Sequence, residues 1–205
     1  MASWIDDFEG NKLNPKWVAT RLSTGGQNNG VWTREVKDSK IYWNGVNVGT
    51  ETGFWGETLS LPVNATGDII VEALIRQKRT AGTTTVFGVG VNQSIITAET
   101  LNGVEIIWPG IGANWMYGRR TGATTTWPGM PSKTYQAFGQ DDIKRIRIVR
   151  KNGVLFLYGD SQFVGQGTYA PTITTVDISA NWYQAQTGAE KWVDYIKVWP
   201  SSVVL

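Results

Sequence analysis

The sequence predicts an all-β protein, folded as an antiparallel sandwich or barrel. Three observations predict it. Apolar and polar residues alternate with period two along much of the chain, while helical periodicity is almost absent. Turn signals, Asn44-Gly45, Asn102-Gly103 and Asn152-Gly153 among them, divide short runs rich in Val, Ile, Thr and aromatic residues. The composition, 11 Trp and 24 Gly with abundant Thr among 205 residues, is that of a β-rich chain.

The elements follow in order. "KIYW" and "VNVGT" are two strands split by Asn44-Gly45, read as a hairpin turn. "DIIVEALIRQK" alternates Val71, Ala73 and Ile75 with Glu72, Leu74 and Arg76. "TTTVFGVGVN" is a strand that puts Gly88 and Gly90 on one face, marking a bend or a close approach. Asn102-Gly103 is a turn ahead of "VEIIW". In "KRIRIVRKNGVLFLYGD", Ile146 and Ile148 alternate with Arg145 and Arg147, and Asn152-Gly153 turns the chain back along Val154 to Tyr158. "TITTVDISANWYQAQTG" and "KWVDYIKVW" supply the last strands. No composition break divides the chain, so residues 1–205 are read as one domain.

Composition excludes several chemistries. With no Cys and no His, the usual catalytic triads, thiol catalysis and the usual zinc sites fall away. Acid–base work is left to Asp, Glu, Tyr and Lys. A formal charge of +2 is too small to argue for nucleic acid or an anionic membrane. "RQKR" and "KRIRIVRK" read as a solvated strand end and a polar sheet face. No stretch approaches the roughly 20 apolar residues of a membrane span. "MASWIDDFEG" has neither a basic start nor an apolar run, so no secretory signal is expected there. That leaves the cytoplasm, a virion or a secreted domain as locations.

The segment "WPGIGANWMYGRRTGATTTWPGM", Trp108 to Met130, sets large rings among glycines, threonines and prolines. Indoles receive the flat C–H faces of sugars, and neighbouring polar groups bond the hydroxyls. Trp108, Trp115, Tyr117 and Trp127, with Glu105, Asn114, Arg119 and Arg120 beside them, are therefore the candidate ligand-binding residues, and Trp55 is a further ring. The two Trp-Pro-Gly turns favour display of the ring before them. Trp4, Trp17, Trp192 and Trp199 are read as core or sheet packing. Trp32, Trp43 and Trp182 are assigned to neither group.

"WIDDFEGNKLNPKW" (Trp4 to Trp17) and "KWVDYIKVW" (Lys191 to Trp199) resemble the two ends of a concanavalin A-like jelly roll. The version they resemble is that of laminarinase- and lichenase-type family 16 glycoside hydrolases and related laminin-G-like modules. "KIYWNGVNVGTE" and "GDIIVEALIR" resemble two of its earlier strands. The resemblance implies a two-sheet antiparallel jelly-roll sandwich whose terminal segments meet in one sheet. That architecture hosts enzymes, lectins and virion proteins alike.

Retaining glucanases of that family carry their acids as ExDxxE or ExDxE on one strand, which puts them on one face. This sequence has no ExD. "NGVEIIWPG" keeps Glu105, with Ile107 two residues on, so no catalytic residue is assigned. Glu51 with Glu57, and Glu99 with Glu105, lack same-strand spacing and read as solvated acids. A lyase would rest on Tyr117, Arg119 and Arg120. The resemblance further implies one structural Ca2+, held by the carbonyls of Glu9 and Gly45 and the carboxylate of Asp194. The expected function is non-catalytic, lectin-like recognition of a glycan or polysaccharide. The alternative is a virion or phage surface subunit using the same fold for subunit or host contacts, with a hydrolase or lyase third.

Overall fold

The computed structural model describes residues 4–23, 31–47, 54–79, 85–92, 102–109, 116–121, 124–125, 141–183 and 189–199. Every element among them is a strand: β1 (Trp4–Asp6), β2 (Val18–Ser23), β3 (Val31–Lys37), β4 (Lys40–Asn47), β5 (Phe54–Ala65), β6 (Ile69–Arg79), β7 (Thr85–Val91), β8 (Asn102–Pro109), β9 (Met116–Thr121), β10 (Thr124–Thr125), β11 (Asp141–Lys151), β12 (Val154–Gly159), β13 (Gln162–Thr168), β14 (Ile173–Tyr183) and β15 (Ala189–Trp199).

They form two antiparallel sheets. The first runs β13-β12-β11-β6-β15-β4-β3, with β1 also paired to β15, and the second runs β10-β9-β8-β7-β14-β5-β2. The two chain ends meet in the first sheet, Trp4 opposite Val198 and Asp6 opposite Ile196. This is the jelly-roll sandwich. Its core lies where the inward faces meet: Val71, Ala73, Ile75, Ile146, Ile148, Val193 and Ile196 from one sheet, and Leu59, Leu61, Phe87, Val89, Val176 and Ile178 from the other. The alternation read in "DIIVEALIRQK" and "KRIRIVRK" is therefore the core periodicity of β6 and β11.

The opening motif has a local reason. The Asp6 carboxylate accepts the Phe8 backbone N–H at 3.0 Å and the Trp17 indole N–H at 2.9 Å. It thereby holds Phe8 at φ 55° while its ring is buried. Trp4 leans on Trp17 with ring centres 6.3 Å apart. Trp192 and Trp199 are half-buried, and Trp192 packs against Tyr42 on the outer face of the first sheet.

The hairpins differ in part from the sequence reading. Asn152-Gly153 is the turn between β11 and β12, with φ of 51° and 74°. Two more turns of the same positive-φ kind are Asp38-Ser39, joining β3 to β4, and Asp160-Ser161, joining β12 to β13. Asn44-Gly45 is not a turn. β4 runs through it, and Gly45 lacks a positive φ. A Cβ there would stand 3.0 Å from the Trp182 indole and 3.1 Å from that of Trp55. The glycine exists for ring packing. Asn102-Gly103 likewise lies inside β8.

Candidate functional site

The second sheet has one face in the core and one turned outward. Outward-facing polar side chains of an antiparallel sheet are normally solvated. Here they are not. Thr58 and Asp177 are 0% exposed, Ser179 4% and Asn181 6%. The register sets them in rows. One row reads Glu105, Gly90, Asp177, Ser60, and the next Ile107, Gly88, Ser179, Thr58. Within this floor Thr58 and Ser179 hydroxyls lie 3.4 Å apart, and Thr175 donates to Asp177 Oδ2 at 2.9 Å. Gly88 and Gly90 place bare backbone between β8 and β14. Sequence reasoning missed Thr58, Asp177, Ser179 and Asn181. The alternation of "TVDISANW" held the signal, since Val176, Ile178, Ala180 and Trp182 take the inward positions.

The sequence-selected residues divide on the same register. Glu105 stands opposite Gly90 and Gly118, and Arg120 opposite Gly103, in the outer rows. Trp108 stands opposite Phe87, Tyr117 opposite Ile106, and Arg119 opposite Val104. Those are the rows of Phe87, Val89 and Val91, which are core residues. β8, β9 and β10 form one edge of the sheet. Asn114, Trp115 and Trp127 lie outside the described residues.

Trp55 is corrected. It is 1% exposed and stacks on Trp182 at 5.0 Å and 20°. It is a core ring, not a displayed one, because Gly45 lets both indoles close on β4. Trp43 is buried too, edge-on to Phe87 at 6.1 Å. Glu57, read as a solvated acid, is also in the core: it accepts the Trp43 indole N–H at 2.5 Å and Arg34 at 2.8 Å. Lys191 is fully buried with its Nζ 4.1 Å from the Trp182 ring centre, and burial holds its amine well below the usual lysine value. One end of the sandwich thus has a tryptophan-lined interior containing charge-bearing groups.

The calcium ligands named from the resemblance do not converge. Asn44 pairs with Glu190 and Ile41 with Val193, so Gly45 stands opposite Ala189. From there to Asp194 is five residues of strand, about 16 Å at about 3.3 Å each. Asp194 Oδ1 instead faces the Lys40 ammonium at 3.9 Å. Glu9 is exposed beyond β1. Among the described residues no group of three or more acidic side chains could hold a metal ion. The residues do not fit a single calcium, and no role is derived for one.

No sequence-family profile matches the chain, and no curated protein sequence matches it. Solved structures do. The CBM2 module of Lactobacillus casei BL23 phage J-1 evolved Dit aligns over 96% of this chain and 95% of its own, at 9% identity and a TM-score of 0.67. The fold is concanavalin A-like. Laminarinase from Flavobacterium sp. UMI-01 aligns over 95% and 98%, at 13% identity and a TM-score of 0.63. The Emp47p carbohydrate recognition domain aligns over 96% and 94%, at 11% identity and a TM-score of 0.57. At these identities the likeness concerns the fold.

Proposed function

We propose that this protein is a lectin-like module that binds a glycan across the outer face of its second sheet. The observation that carries the reading is the buried polar floor of Thr58, Asp177, Ser179 and Asn181 around Gly88 and Gly90. Clustered short hydroxyl, amide and carboxylate groups bond sugar hydroxyls, and glycines let a ring approach the backbone. Glu105 extends one of these rows toward the sheet edge, Arg120 stands opposite Gly103 farther along β8, and Trp115 and Trp127 are the rings assigned to stacking. The fold neighbours support the reading, since their names include a laminarinase, a carbohydrate-binding module and a carbohydrate recognition domain. A glycan array on the purified protein tests it. A specific hit, lost in Asp177→Asn and weakened in Trp115→Ala or Trp127→Ala, is the expected result. No hit on a folded monomer, or a hit indifferent to all three variants, would defeat the reading.

A hydrolytic reading is favoured by one observation. Glu105 and Asp177 occupy one row on either side of Gly90, their strands two spacings apart, about 10 Å between backbones. Inverting glycosidases hold their carboxyls about 6.5–9.5 Å apart, with a water between. Reducing-sugar release with inversion, abolished by both Glu105→Gln and Asp177→Asn, would establish it. Release by neither wild type nor variants leaves binding alone. The phage-derived neighbour also supports a place on a virion surface, which electron microscopy of the assembled particle with an antibody to this chain would test.

A further inference from the structure

The outer face of the first sheet carries a separate feature, on the opposite side of the sandwich from the polar floor. Phe163, Tyr158, Arg147, Glu72 and Lys197 form one register row across β13, β12, β11, β6 and β15. Glu72 is its buried hub. It accepts Arg147 through Nε at 2.9 Å and through a second, shorter contact, and accepts the Tyr195 hydroxyl at 3.0 Å. Burial raises the Glu72 carboxyl, but the bonds from Arg147 and Tyr195 and the charges of Arg147 and Arg145 outweigh it and hold the group below the usual value. The carboxylate therefore stays ionised at neutral pH.

Two guanidinium groups act on this carboxylate, and a lysine stands opposite it in the register. Arg147 is bound to it, Arg145 acts on it from the neighbouring outward position of β11, and Lys197 stands opposite it with Nζ 4.5 Å from the Tyr195 ring centre. Asp160 pairs with Lys144 at 2.9 Å through Oδ2 and accepts the Arg145 backbone N–H at 2.7 Å through Oδ1, so its one charge is matched by Lys144. Positive charge is left in excess. Beside it opens a cleft of 290 Å³, lined by Arg145, Arg147, Val149, Tyr158 and Ser161. Tyr158 is held edge-on by Phe163 at 5.9 Å, and Phe163 is itself 42% exposed at the sheet edge. The cleft thus combines the guanidinium of Arg145, which also bonds the Tyr195 hydroxyl, with an aromatic wall and the Ser161 hydroxyl. A guanidinium bonds carboxylate or sulfate oxygens in a fixed fork, and an aromatic wall takes the C–H face of a sugar ring.

We infer that this cleft is a second binding site, for an anionic sugar: a residue carrying a carboxylate or sulfate whose ring lies against Tyr158 while its anion meets Arg145. Arg147 is committed to Glu72, so Arg145 is the specificity-determining cation. The site is independent of the glycan site proposed on the second sheet.

The test is direct binding of the full chain to polygalacturonate, dextran sulfate and uncharged dextran, measured by titration at about 0.05 and 0.3 M salt. Wild type is expected to bind at least one charged polymer and not dextran, more weakly at the higher salt. Arg145→Gln should lose at least about tenfold in affinity, the worth of one charge-assisted hydrogen bond. Tyr158→Ala should lose a comparable factor. Preference for polygalacturonate identifies the carboxylate source, and preference for dextran sulfate the sulfate source. Both side chains lie at the surface, and tryptophan fluorescence of each variant checks the fold. Binding to neither charged polymer, or unchanged affinity in Arg145→Gln, overturns the site. Loss in Arg145→Gln with full retention in Tyr158→Ala overturns the stacked-ring geometry. Neutral-glycan binding measured on the same samples reports on the second sheet separately.

Discussion

Replacing Gly45 by alanine places a methyl group between two immovable rings. The added Cβ stands 3.0 Å from Cε2 and Nε1 of Trp182 and 3.1 Å from Trp55. Those are tighter than ordinary van der Waals contacts, and neither ring has room to retreat. Trp55 is 1% exposed, Trp182 0%, and they stack on each other at 5.0 Å. Overpacking of this kind costs about 1–3 kcal/mol. For a domain of this size that is a fall in Tm of roughly 2–12 °C. Thermal unfolding followed by near-ultraviolet circular dichroism reads both the Tm and the indole environment. The discriminating measurement is the pair Gly45→Ala with Trp182→Phe. If the cost is steric, the smaller ring admits the methyl, and the double variant is more stable than the sum of the single effects by about 1 kcal/mol. A turn glycine would show no such coupling. Additive effects, or a Gly45→Ala protein as stable as wild type, would refute the close-approach account of this residue.

Other substitutions probe the remaining supports. Lys191→Met should stabilise the protein at neutral pH by about 1–4 kcal/mol, since a well-packed apolar chain replaces a buried ionisable one. Its folded-state amine is depressed below the ordinary 10.5, so the unfolded chain binds the extra proton. Wild-type stability therefore rises with pH up to about that value. The advantage of Lys191→Met shrinks over the same window, and urea unfolding across pH would show an unchanging advantage if the idea is wrong. Asp6→Ala should cost about 2–5 kcal/mol in the same assay, by stranding the Phe8 and Trp17 donors. A loss under about 1 kcal/mol would mean the opening motif is held some other way. Gly56→Ala should be more damaging than Gly45→Ala, because its Cβ would lie 2.2 Å from the Ala180 carbonyl oxygen at φ 143°. Comparable soluble yield and Tm to wild type would contradict it.

Much of the fold was legible because period-two alternation and core burial are the same fact in this architecture. Val71, Ala73 and Ile75, or Ile146 and Ile148, announce an inward face from sequence alone. The turns were legible only where Asn-Gly advertised positive φ. Asp38-Ser39 and Asp160-Ser161 adopt it without glycine, because a short Asp side chain tolerates that region. Gly45 was misread because a glycine needed for close packing looks the same in sequence as one needed for a turn. Trp55 was misread for a related reason: "TGFWGET" gives a ring among glycines whether that ring is displayed or pressed against a neighbour. The polar floor went unseen because Asp177, Ser179 and Asn181 match an ordinary solvated face, and only the structure shows them buried. Glu105 and Asp177 are 72 residues apart, and cross-strand register alone brings them to one row.

The most direct test of the central claim is amide chemical-shift mapping of the isotope-labelled protein with a neutral glycan chosen from the array. Saturating glycan is expected to shift the amides of Gly88, Gly90, Asp177, Ser179 and Asn181, with β11 to β13 unmoved. Shifts confined to the first sheet, or none at a glycan concentration that saturates binding, would contradict it.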